Sequence, residues 1–185
     1  FRNTGSRGTI SFSSMLNINQ IYAPQKAVHA DFNGDGKIDI ALSNGYDGNA
    51  ISILQNNSSS GNISFSAGPV ITAGVGPFNA QAADFDMDGK PDLAFTSYNY
   101  GSIYFSRNIS TVSSISFAPN TFIGTPESTL SGFTVTDMDM DGKPDVIVTN
   151  AFRISIARNT STPGNISFSV FSFPSYGNNN SYIVW

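Results

Sequence analysis

The sequence of 185 residues contains no cysteine, which excludes disulfide bonds and thiolate metal sites. No apolar run approaches the about 20 residues that a membrane-spanning helix needs, so we expect no direct membrane insertion. Charged residues make up only 12% of the chain, and its nine lysines and arginines are scattered singly. A nucleic-acid partner is therefore not expected, because proteins that bind nucleic acid present a basic patch. Hydrophobic residues make up 39%, which is enough for a sizeable globular core.

The acidic residues are concentrated in three places. Of the 13 aspartates and glutamates, 11 lie in three segments of nine residues, and only Asp47 and Glu127 lie elsewhere. The segments are DFNGDGKID (31–39), DFDMDGKPD (84–92) and DMDMDGKPD (137–145). Carboxylates crowded within a few ångströms repel one another unless a cation neutralises them. The three segments are therefore candidate cation-binding loops.

An internal repeat of about 53 residues runs through the chain. The first aspartates of the acidic segments lie at positions 31, 84 and 137, which are 53 residues apart both times. A related pentapeptide recurs at nearly the same spacing, as TISFS (9–13), NISFS (62–66), SISFA (114–118) and NISFS (165–169). An asparagine that ends an alternating segment recurs as well, at Asn3, Asn56, Asn108 and Asn159. A fixed period of this kind is typical of repeat architectures such as propellers.

Each repeat predicts four β-strands and no helix. In the second repeat the strands are ISFSAGPVITA (63–73), FNAQAADF (78–85), DLAFTSY (92–98) and SIYFSRN (102–108). They alternate apolar and polar residues and are bounded by Gly, Pro, Asn or Ser, as strands usually are. Four short antiparallel strands in each repeat describe one propeller blade. The predicted fold is thus an all-β propeller of four-stranded antiparallel blades.

The period also divides the chain. It predicts three blades, at residues 9–56, 62–108 and 114–159, each with one acidic loop. Residues 1–3 are predicted to end a preceding blade, and residues 165–185 to begin the next one. About three and a half blades result, whereas propellers close with roughly 4 to 8. We therefore expect a partial propeller whose partners are the remaining blades or neighbouring domains of the same protein.

The three acidic segments share the pattern D-x-[N/D]-x-D-G-K-[I/P]-D. Oxygen ligands at alternate positions of a turn suit a hard cation, and the glycine at position 6 permits the sharp reversal. The lysine at position 7 is expected to offer its backbone carbonyl and to point its side chain to solvent. We predict three Ca²⁺ sites, with the ligands Asp31, Asn33, Asp35, Lys37 and Asp39, then Asp84, Asp86, Asp88, Lys90 and Asp92, then Asp137, Asp139, Asp141, Lys143 and Asp145.

Three alternatives fit the acidic segments less well. An EF-hand needs a glutamate at position 12 of its loop, where Leu42, Phe95 and Val148 stand. Mg²⁺ is less suited than Ca²⁺ to a protein cage with several carboxylates. Solvated acidic turns without a cation explain a single Asp-Gly turn but not a threefold recurrence of four ligand positions. Because Asn33 leaves the first loop with three carboxylates, we expect that loop to bind Ca²⁺ more weakly than the other two.

The motif DxDxDGxxD between two strands, at a period near fifty, resembles the FG-GAP/VCBS repeat family, which is related to the propeller of integrin α-subunits. The resemblance covers essentially the whole chain. It implies a propeller, often of seven blades, in a secreted or cell-surface protein. It also implies that Ca²⁺ is held in the blade loops by the side chains and lysine carbonyls given above.

Few other residues suggest chemistry. His29 is the only histidine and lies in a predicted strand, where it is expected to be packed or hydrogen-bonded. Two of the aspartates could form a glycosidase pair, but the aspartates recur in every repeat, whereas catalytic residues are normally unique in a chain. No arrangement of nucleophile, base and orienting group is evident. We therefore predict no catalytic residue.

Aromatic and asparagine residues also recur. The core between blades is predicted to contain Phe32, Phe65, Phe85, Phe95, Phe105, Phe117 and Phe168. Tyr46, Tyr98 and Tyr100 follow the third predicted strands, where they either pack or contact a sugar or protein ligand. Asn-x-Ser/Thr triplets begin at Asn56, Asn57, Asn62, Asn108, Asn159, Asn165 and Asn179. They matter only in a source that glycosylates its proteins.

The sequence thus predicts a non-enzymatic, calcium-stabilised propeller module of a secreted or cell-surface protein. Its expected role is that of a scaffold, or of an adhesion or binding surface for a protein or a glycan. The alternative is a lectin-like or polysaccharide-targeting propeller that is attached to a carbohydrate-active enzyme.

Overall fold

The structure of the protein, a computed structural model, describes residues 2–14, 23–45, 48–74, 76–97, 100–124, 130, 132–150 and 153–174. All regular elements within these ranges are β-strands. They form three four-stranded sheets in which strands that are consecutive in the chain are antiparallel neighbours. The predicted all-β fold of four-stranded blades is confirmed. The described residues contain no helix that is long and apolar enough to cross a membrane.

Each sheet is one blade. Blade 1 consists of β1 (Pro24–Ala30), β2 (Asp39–Asn44), β3 (Ala50–Asn56) and β4 (Phe65–Thr72). Blade 2 consists of β5 (Pro77–Ala83), β6 (Asp92–Ser97), β7 (Tyr100–Ser106) and β8 (Thr121–Gly124). Blade 3 consists of β9 (Gly132–Thr136), β10 (Asp145–Thr149), β11 (Arg153–Asn159) and β12 (Phe168–Pro174).

The blades begin at a different strand from the predicted one. The segment 63–73 was expected to open a blade, but its strand β4 pairs with β3 and closes the blade before it. The strands of the three blades therefore span residues 24–72, 77–124 and 132–174, and not 9–56, 62–108 and 114–159. The period is unchanged by this shift, because a repeat has no intrinsic starting point. Residues 181–185, which were expected to form part of a next blade, lie outside the described residues.

A short hairpin explains why the fourth strand belongs to the preceding blade. Ser59 and Asn62 exchange two backbone hydrogen bonds, of 3.0 and 2.9 Å. Between them, Gly61 has a φ of 82°, a left-handed conformation that glycine adopts without a steric cost. A compact hairpin of this kind joins neighbouring antiparallel strands. The same hairpin, with a pairing of Asn3 with Phe12, lies at the start of the described chain.

The blades pack face to face with their first strands adjacent. Strand β1 contacts β5, and β5 contacts β9. One apolar cluster lies between blades 1 and 2, and a second lies between blades 2 and 3. Each cluster is built from one face of each blade, since successive side chains of a strand point to opposite faces. This is the arrangement of blades in a propeller.

Most of the predicted aromatic core is found in these two clusters. Phe32, Phe85, Phe95 and Phe105 are fully buried there. The ring of Phe117 packs against that of Phe32 with centroids 5.5 Å apart, and the ring of Phe168 packs against that of Phe105 at 4.6 Å. Phe65 differs from the prediction, since it is half-buried and belongs to neither cluster.

Candidate metal centres

Each acidic segment forms the loop between the first and second strands of a blade. The last aspartate of the motif is the first residue of β2, β6 or β10. At position 6 the backbone is left-handed, with φ of 84° at Gly36, 88° at Gly89 and 85° at Gly142. Glycine adopts this conformation readily because it has no Cβ. The glycine of the motif is thus required by the backbone of the loop.

Position 4 of the loop is also left-handed, which the sequence analysis did not predict. Its φ is 73° at Gly34, 60° at Met87 and 61° at Met140. For a methionine this conformation costs roughly 1–2 kcal/mol. The one signal in the sequence was the glycine at position 34. Position 5 thus lies between two left-handed residues, at positions 4 and 6, and these make the loop tight.

The aspartate at position 1 holds each loop closed. Asp31 accepts hydrogen bonds from the backbone amides of Gly34 at 2.8 Å, Asp35 at 3.0 Å and Gly36 at 2.7 Å. In the other two loops the aspartate at position 1 accepts the equivalent bonds from positions 5 and 6. The shape of the loop is therefore fixed by its own carboxylates and amides.

The side chains at positions 3 and 5 are held in the same way. In blade 2, Asp86 accepts a bond from the amide of Asp88 at 3.2 Å, and Asp88 accepts one from the amide of Lys90 at 3.0 Å. Blades 1 and 3 have the same two bonds. Each of these side chains thus uses one oxygen to orient itself against the backbone.

The aspartate at position 9 is buried and links the loop to the end of the third strand. Asp92 accepts bonds from the amides of Phe85 at 2.9 Å and Asn108 at 2.7 Å, one on each carboxylate oxygen. Asp39 and Asp145 make the same two contacts in their own blades. All three side chains are almost fully buried. Position 9 therefore has a structural role whether or not it also binds a cation.

Burial disfavours the charged form of two of these aspartates, Asp92 and Asp39. Desolvation raises the pKa of Asp92 to about 7, and the charge of Asp86 adds to the rise, although the amides of Asn108 and Phe85 oppose it. Desolvation also raises the pKa of Asp39. A cation beside a carboxylate favours its charged form. The charged forms of Asp92 and Asp39 are thus ones that a bound cation would stabilise.

The geometry of two loops would allow a metal ion to be bound. One oxygen from each of Asp84, Asp86 and Asp88 lies within 4.8 Å of the others, and the same holds for Asp137, Asp139 and Asp145. Two oxygens that both bind one Ca²⁺ at 2.3–2.6 Å lie at most about 5 Å apart. The carboxylates are therefore close enough to share an ion. Asp92 and Asp141 do not belong to these groups, so the full predicted ligand sets stay a prediction.

The first loop differs from the other two. By the same criterion no group of acidic residues converges in loop 31–39, all of whose residues are described. Its third position is Asn33, whose side-chain nitrogen donates to the carbonyl of Val112 in blade 2 at 3.2 Å. The amide thus serves a contact between blades. A third cation site in this loop stays a prediction.

Two of the three motif lysines, Lys90 and Lys143, do not point to solvent as expected, whereas Lys37 is exposed. Lys90 Nζ donates to the carbonyl of Ser110 at 2.9 Å, and Lys143 Nζ donates to that of Ser161 at 2.9 Å. Both carbonyls lie in the hairpin that follows the third strand of the same blade. The ammonium group is close enough to bind these carbonyls because the hairpin packs beside the loop. The lysine thus fastens the loop to the hairpin.

Two arginines near the loops were missed by the sequence analysis. The guanidinium of Arg158 contacts Asp139 and Asp141, and that of Arg107 lies 4.0 Å from Asp86. Both arginines directly precede the recurring asparagine, in FSRN and IARN. This repeated position was the available signal, but nothing in the sequence showed that it faces the acidic loop of its own blade.

The remaining residues singled out from the sequence lie outside the acidic loops. His29, which was expected to be packed or hydrogen-bonded, lies in β1 opposite Ile40 and is exposed, so it is not packed. Tyr46, Tyr98 and Asn179 lie outside the described residues, as does the side chain of Tyr100. Among the predicted glycosylation triplets, Asn108 and Asn159 are buried, so those two are not accessible in the folded chain.

Comparison with known protein families agrees with the motif. The family model for an FG-GAP-like repeat matches residues 31–95 and 84–148. Each match contains two consecutive acidic loops, and together the matches cover more than half of the chain. Searches of curated proteins and of solved structures gave no match.

Proposed function

Because the chain belongs to the FG-GAP-like repeat family, we propose that it is a Ca²⁺-stabilised propeller module that acts as a scaffold or binding surface in a secreted or cell-surface protein. FG-GAP repeats are propeller blades, and they are typical of extracellular proteins, where they are generally structural or binding modules. In this proposal the module is non-enzymatic, and its cations stabilise the blades.

The observation that carries the proposal is the convergence of three carboxylates in each of two loops. Without a cation these groups repel one another. A bound Ca²⁺ reverses the repulsion, and its binding free energy adds to the stability of the folded state. Since each loop joins the first two strands of a blade, the ion would hold these strands together.

Ca²⁺ is proposed in preference to Mg²⁺ because of the donor set. The donors available in each loop are carboxylate, amide and backbone oxygens, which suit the larger and more variable coordination shell of Ca²⁺. The carbonyls of Lys37, Lys90 and Lys143 are proposed to complete the three sites together with water. Sites of this kind in extracellular modules bind Ca²⁺ with dissociation constants of about 0.1–1 mM. Such affinities match an extracellular location.

The outer face of blade 3 is the proposed contact for a further blade of the same kind. Ile154 and Phe173 are opposite one another on this face and are 39% and 54% exposed. The equivalent pair in blade 2, Ile103 and Ile123, belongs to the cluster that blade 3 covers. The same two positions are thus covered by the next blade in blade 2, but form an exposed apolar surface in blade 3.

The residues at position 2 of the acidic loop also indicate an uncovered apolar surface on blade 3. Phe32 and Phe85 are 1% and 0% exposed because an aromatic residue of the next blade packs on each of them. The residue at this position in blade 3 is Met138, which is 48% exposed. The partner proposed for blade 3 would therefore supply the hydrophobic surface that blades 2 and 3 supply within the chain.

Calcium titration tests the proposed function. Isothermal titration of the metal-free protein should show three sites at millimolar or lower Ca²⁺, and the melting temperature should rise with Ca²⁺ concentration. Mg²⁺ at equal concentration should have a smaller effect. The variant Asp88→Ala, which removes one ligand of the second loop, should lose one site. Absence of binding heat and of any change in melting temperature at several millimolar Ca²⁺ would contradict the proposal.

A further inference from the structure

Two buried asparagines connect the acidic loops of neighbouring blades. The side-chain nitrogen of Asn108 donates to the carbonyl of Phe32, in the loop of blade 1, at 2.8 Å, and to that of Pro91, in its own blade, at 2.9 Å. Asn159 repeats this arrangement one blade further and donates to the carbonyl of Phe85 at 2.9 Å. Both side chains are almost fully buried. A buried amide without partners is costly, so each asparagine is held firmly in a position that spans two blades.

The backbone of each asparagine extends the connection to the aspartate at position 9. The amide of Asn108 donates to Asp92 at 2.7 Å, and the other oxygen of Asp92 accepts a bond from the amide of Phe85 at 2.9 Å. The carbonyl of that same Phe85 accepts the side chain of Asn159. The amide of Asn159 in turn donates to Asp145 at 2.7 Å. A continuous path of hydrogen bonds thus passes through one predicted ligand of each later loop.

The path begins in the first blade. Asp39 accepts a bond from the amide of Phe32 at 3.1 Å, and the carbonyl of Phe32 accepts the side chain of Asn108. The aspartates at position 9 of all three loops are therefore joined through alternating carboxylates, backbone peptides and asparagine side chains. Each step is short, and each lies in the interior of the protein.

A second contact connects the same pairs of blades at position 3 of the loop. Asn33 donates to the carbonyl of Val112 in blade 2 at 3.2 Å. Asp86 accepts a bond from the amide of Gly164 in blade 3 at 2.8 Å. In both cases the partner lies in the hairpin that follows the third strand of the next blade. Two adjacent loop positions are thus held by the following blade.

We propose that Asn108 and Asn159 are positioning residues that couple the cation sites of neighbouring blades, so that an ion in one loop raises the affinity of the adjacent loop. The inference rests on the proposed Ca²⁺ binding. An ion fixes the ligands at positions 1, 3 and 9 of its loop, and the path passes through position 9 and through position 2, which lies between two of these ligands. A neighbouring loop that is already held in place has less conformational entropy to lose when it binds its own ion. Such coupling acts equally in both directions.

The three loops offer one reporter each for the experiment. The amides of Gly36, Gly89 and Gly142 are each bonded to the first aspartate of their own loop, at 2.7, 2.8 and 2.9 Å. Their ¹H–¹⁵N NMR signals should therefore follow Ca²⁺ binding to the individual loops. We expect Asp88→Ala, which disables the second loop, to lower the Ca²⁺ affinity measured at both Gly36 and Gly142. A loss of about fivefold or more is expected, since this is the lower end of typical coupling between sites.

Variants of Asn108 and Asn159 test whether these asparagines carry the coupling between the loops. In an Asn108→Ala background, the effect of Asp88→Ala on the affinity at Gly36 should become smaller, because only the contact of Asn33 with Val112 then remains, while its effect at Gly142 should persist. Asn159→Ala should give the reverse result. If either alanine variant does not fold, the serine variant at the same position, whose shorter side chain cannot reach the neighbouring loop, takes its place.

Asn56 provides the matched control. It donates to the carbonyl of Ile38 in its own blade at 2.8 Å and accepts a bond from the amide of Ser58, as Asn108 does with Pro91 and Ser110. Within the part of the chain that the structure describes, it makes no side-chain bond to another blade. Asn56→Ala should therefore leave the coupling between the loops unchanged.

The outcomes separate the coupling from the binding itself. If all three glycine signals respond to Ca²⁺ but Asp88→Ala leaves both neighbouring affinities unchanged, the coupling is wrong and the proposed Ca²⁺ binding stands. If the coupling survives undiminished in both Asn108→Ala and Asn159→Ala, the asparagines do not carry it, and the inference is also overturned. If no glycine signal responds to Ca²⁺ at any concentration, both the proposed function and the inference are wrong.

Discussion

The guanidinium of Arg158 is bonded to the carboxylate of Asp139, and its second nitrogen lies 3.3 Å from Asp141. The hydrogen bond from Arg158 lowers the pKa of Asp139. In blade 2 the equivalent Arg107 is 4.0 Å from Asp86. A cationic side chain thus lies beside the proposed ion site, and it is closest in blade 3. Under the proposed function, Ca²⁺ binding to loop 137–145 would compete with this ion pair.

We predict that Arg158→Gln raises the Ca²⁺ affinity of loop 137–145. Glutamine keeps a long polar side chain but removes the charge that competes with the ion. The rise should be modest because an exposed ion pair contributes little. The measurement is Ca²⁺ titration followed at the Gly142 amide. Arg107→Gln should change the affinity at Gly89 less, and equal effects of the two variants, or a fall at Gly142, would contradict the prediction.

We also predict that the first loop binds Ca²⁺ most weakly, because it has three carboxylates and the other loops have four. Asp86→Asn should lower the affinity of the second loop toward that of the first. The reverse change, Asn33→Asp, should raise the affinity of the first loop only partly, since it also removes the donor to the Val112 carbonyl. Site-resolved titration of the three loops checks the order. Filling of loop 31–39 before the others would contradict it.

The blade architecture and the acidic loops could be predicted because both follow from local patterns. Alternation in segments such as 92–98 predicts strands, and the spacing DxDxDGxxD predicts the loop between two of them. The glycine at position 6 is left-handed as its place in the motif suggests. The start of each blade could not be predicted, because it depends on which loops join paired strands. The compact hairpins, such as the one around Gly61, determine that the fourth strand pairs with the strand before it and so closes the blade.

The contacts that surround the loops were harder to predict because they join residues far apart in the chain. Asn159 was identified as a recurring residue, yet its partner Phe85 lies 74 residues before it. The side chains of Lys90 and Lys143 were expected in solvent because the sequence does not show that a hairpin lies beside each loop. For the same reason the arginines that precede the asparagines were not recognised. The recurrence of these positions indicated that they have a role, but only the three-dimensional packing shows which residues they contact.

The stability of the metal-free protein should fall as the pH rises from about 4 to about 7. Asp92 has a folded-state pKa of about 7, above the roughly 3.9 of an aspartate in an unfolded chain. A raised pKa means that the folded state binds the proton more tightly, so protonation stabilises it at low pH and this contribution is lost as the pH rises through 7. The raised pKa of Asp39 acts in the same direction. Thermal unfolding in the presence of a chelator checks the trend.

Two comparisons assign this pH dependence to its cause. Saturating Ca²⁺ should weaken or reverse the trend, because metal ligands bind in their deprotonated form and binding improves as the pH rises. Asparagine cannot ionise, so Asp92→Asn should make the fall in stability between pH 4 and pH 7 smaller in chelator, where no ion is bound. A melting temperature that rises from pH 4 to pH 7 in chelator would show that the buried aspartates do not have raised pKa values in the folded protein.

Position 2 of the acidic loop allows a direct test of how the blades pack. Phe85 is fully buried, and its ring contacts those of Phe105 and Phe168 at centroid distances of 5.2 and 6.0 Å. Phe85→Ala should therefore lower the free energy of unfolding by about 3–5 kcal/mol, the usual cost of deleting a buried aromatic ring. Urea denaturation in the presence of Ca²⁺ measures this cost.

Met138 occupies the same loop position in blade 3 but is 48% exposed. In both residues the backbone amide donates to the aspartate at position 9 of the same loop. Alanine variants keep this bond, so the comparison isolates the packing of the side chain. Met138→Ala should cost less than about 1 kcal/mol, because little apolar surface is lost from the interior. A cost close to that of Phe85→Ala would mean that Met138 is already covered in solution, and the outer face of blade 3 would then not be available to a further blade.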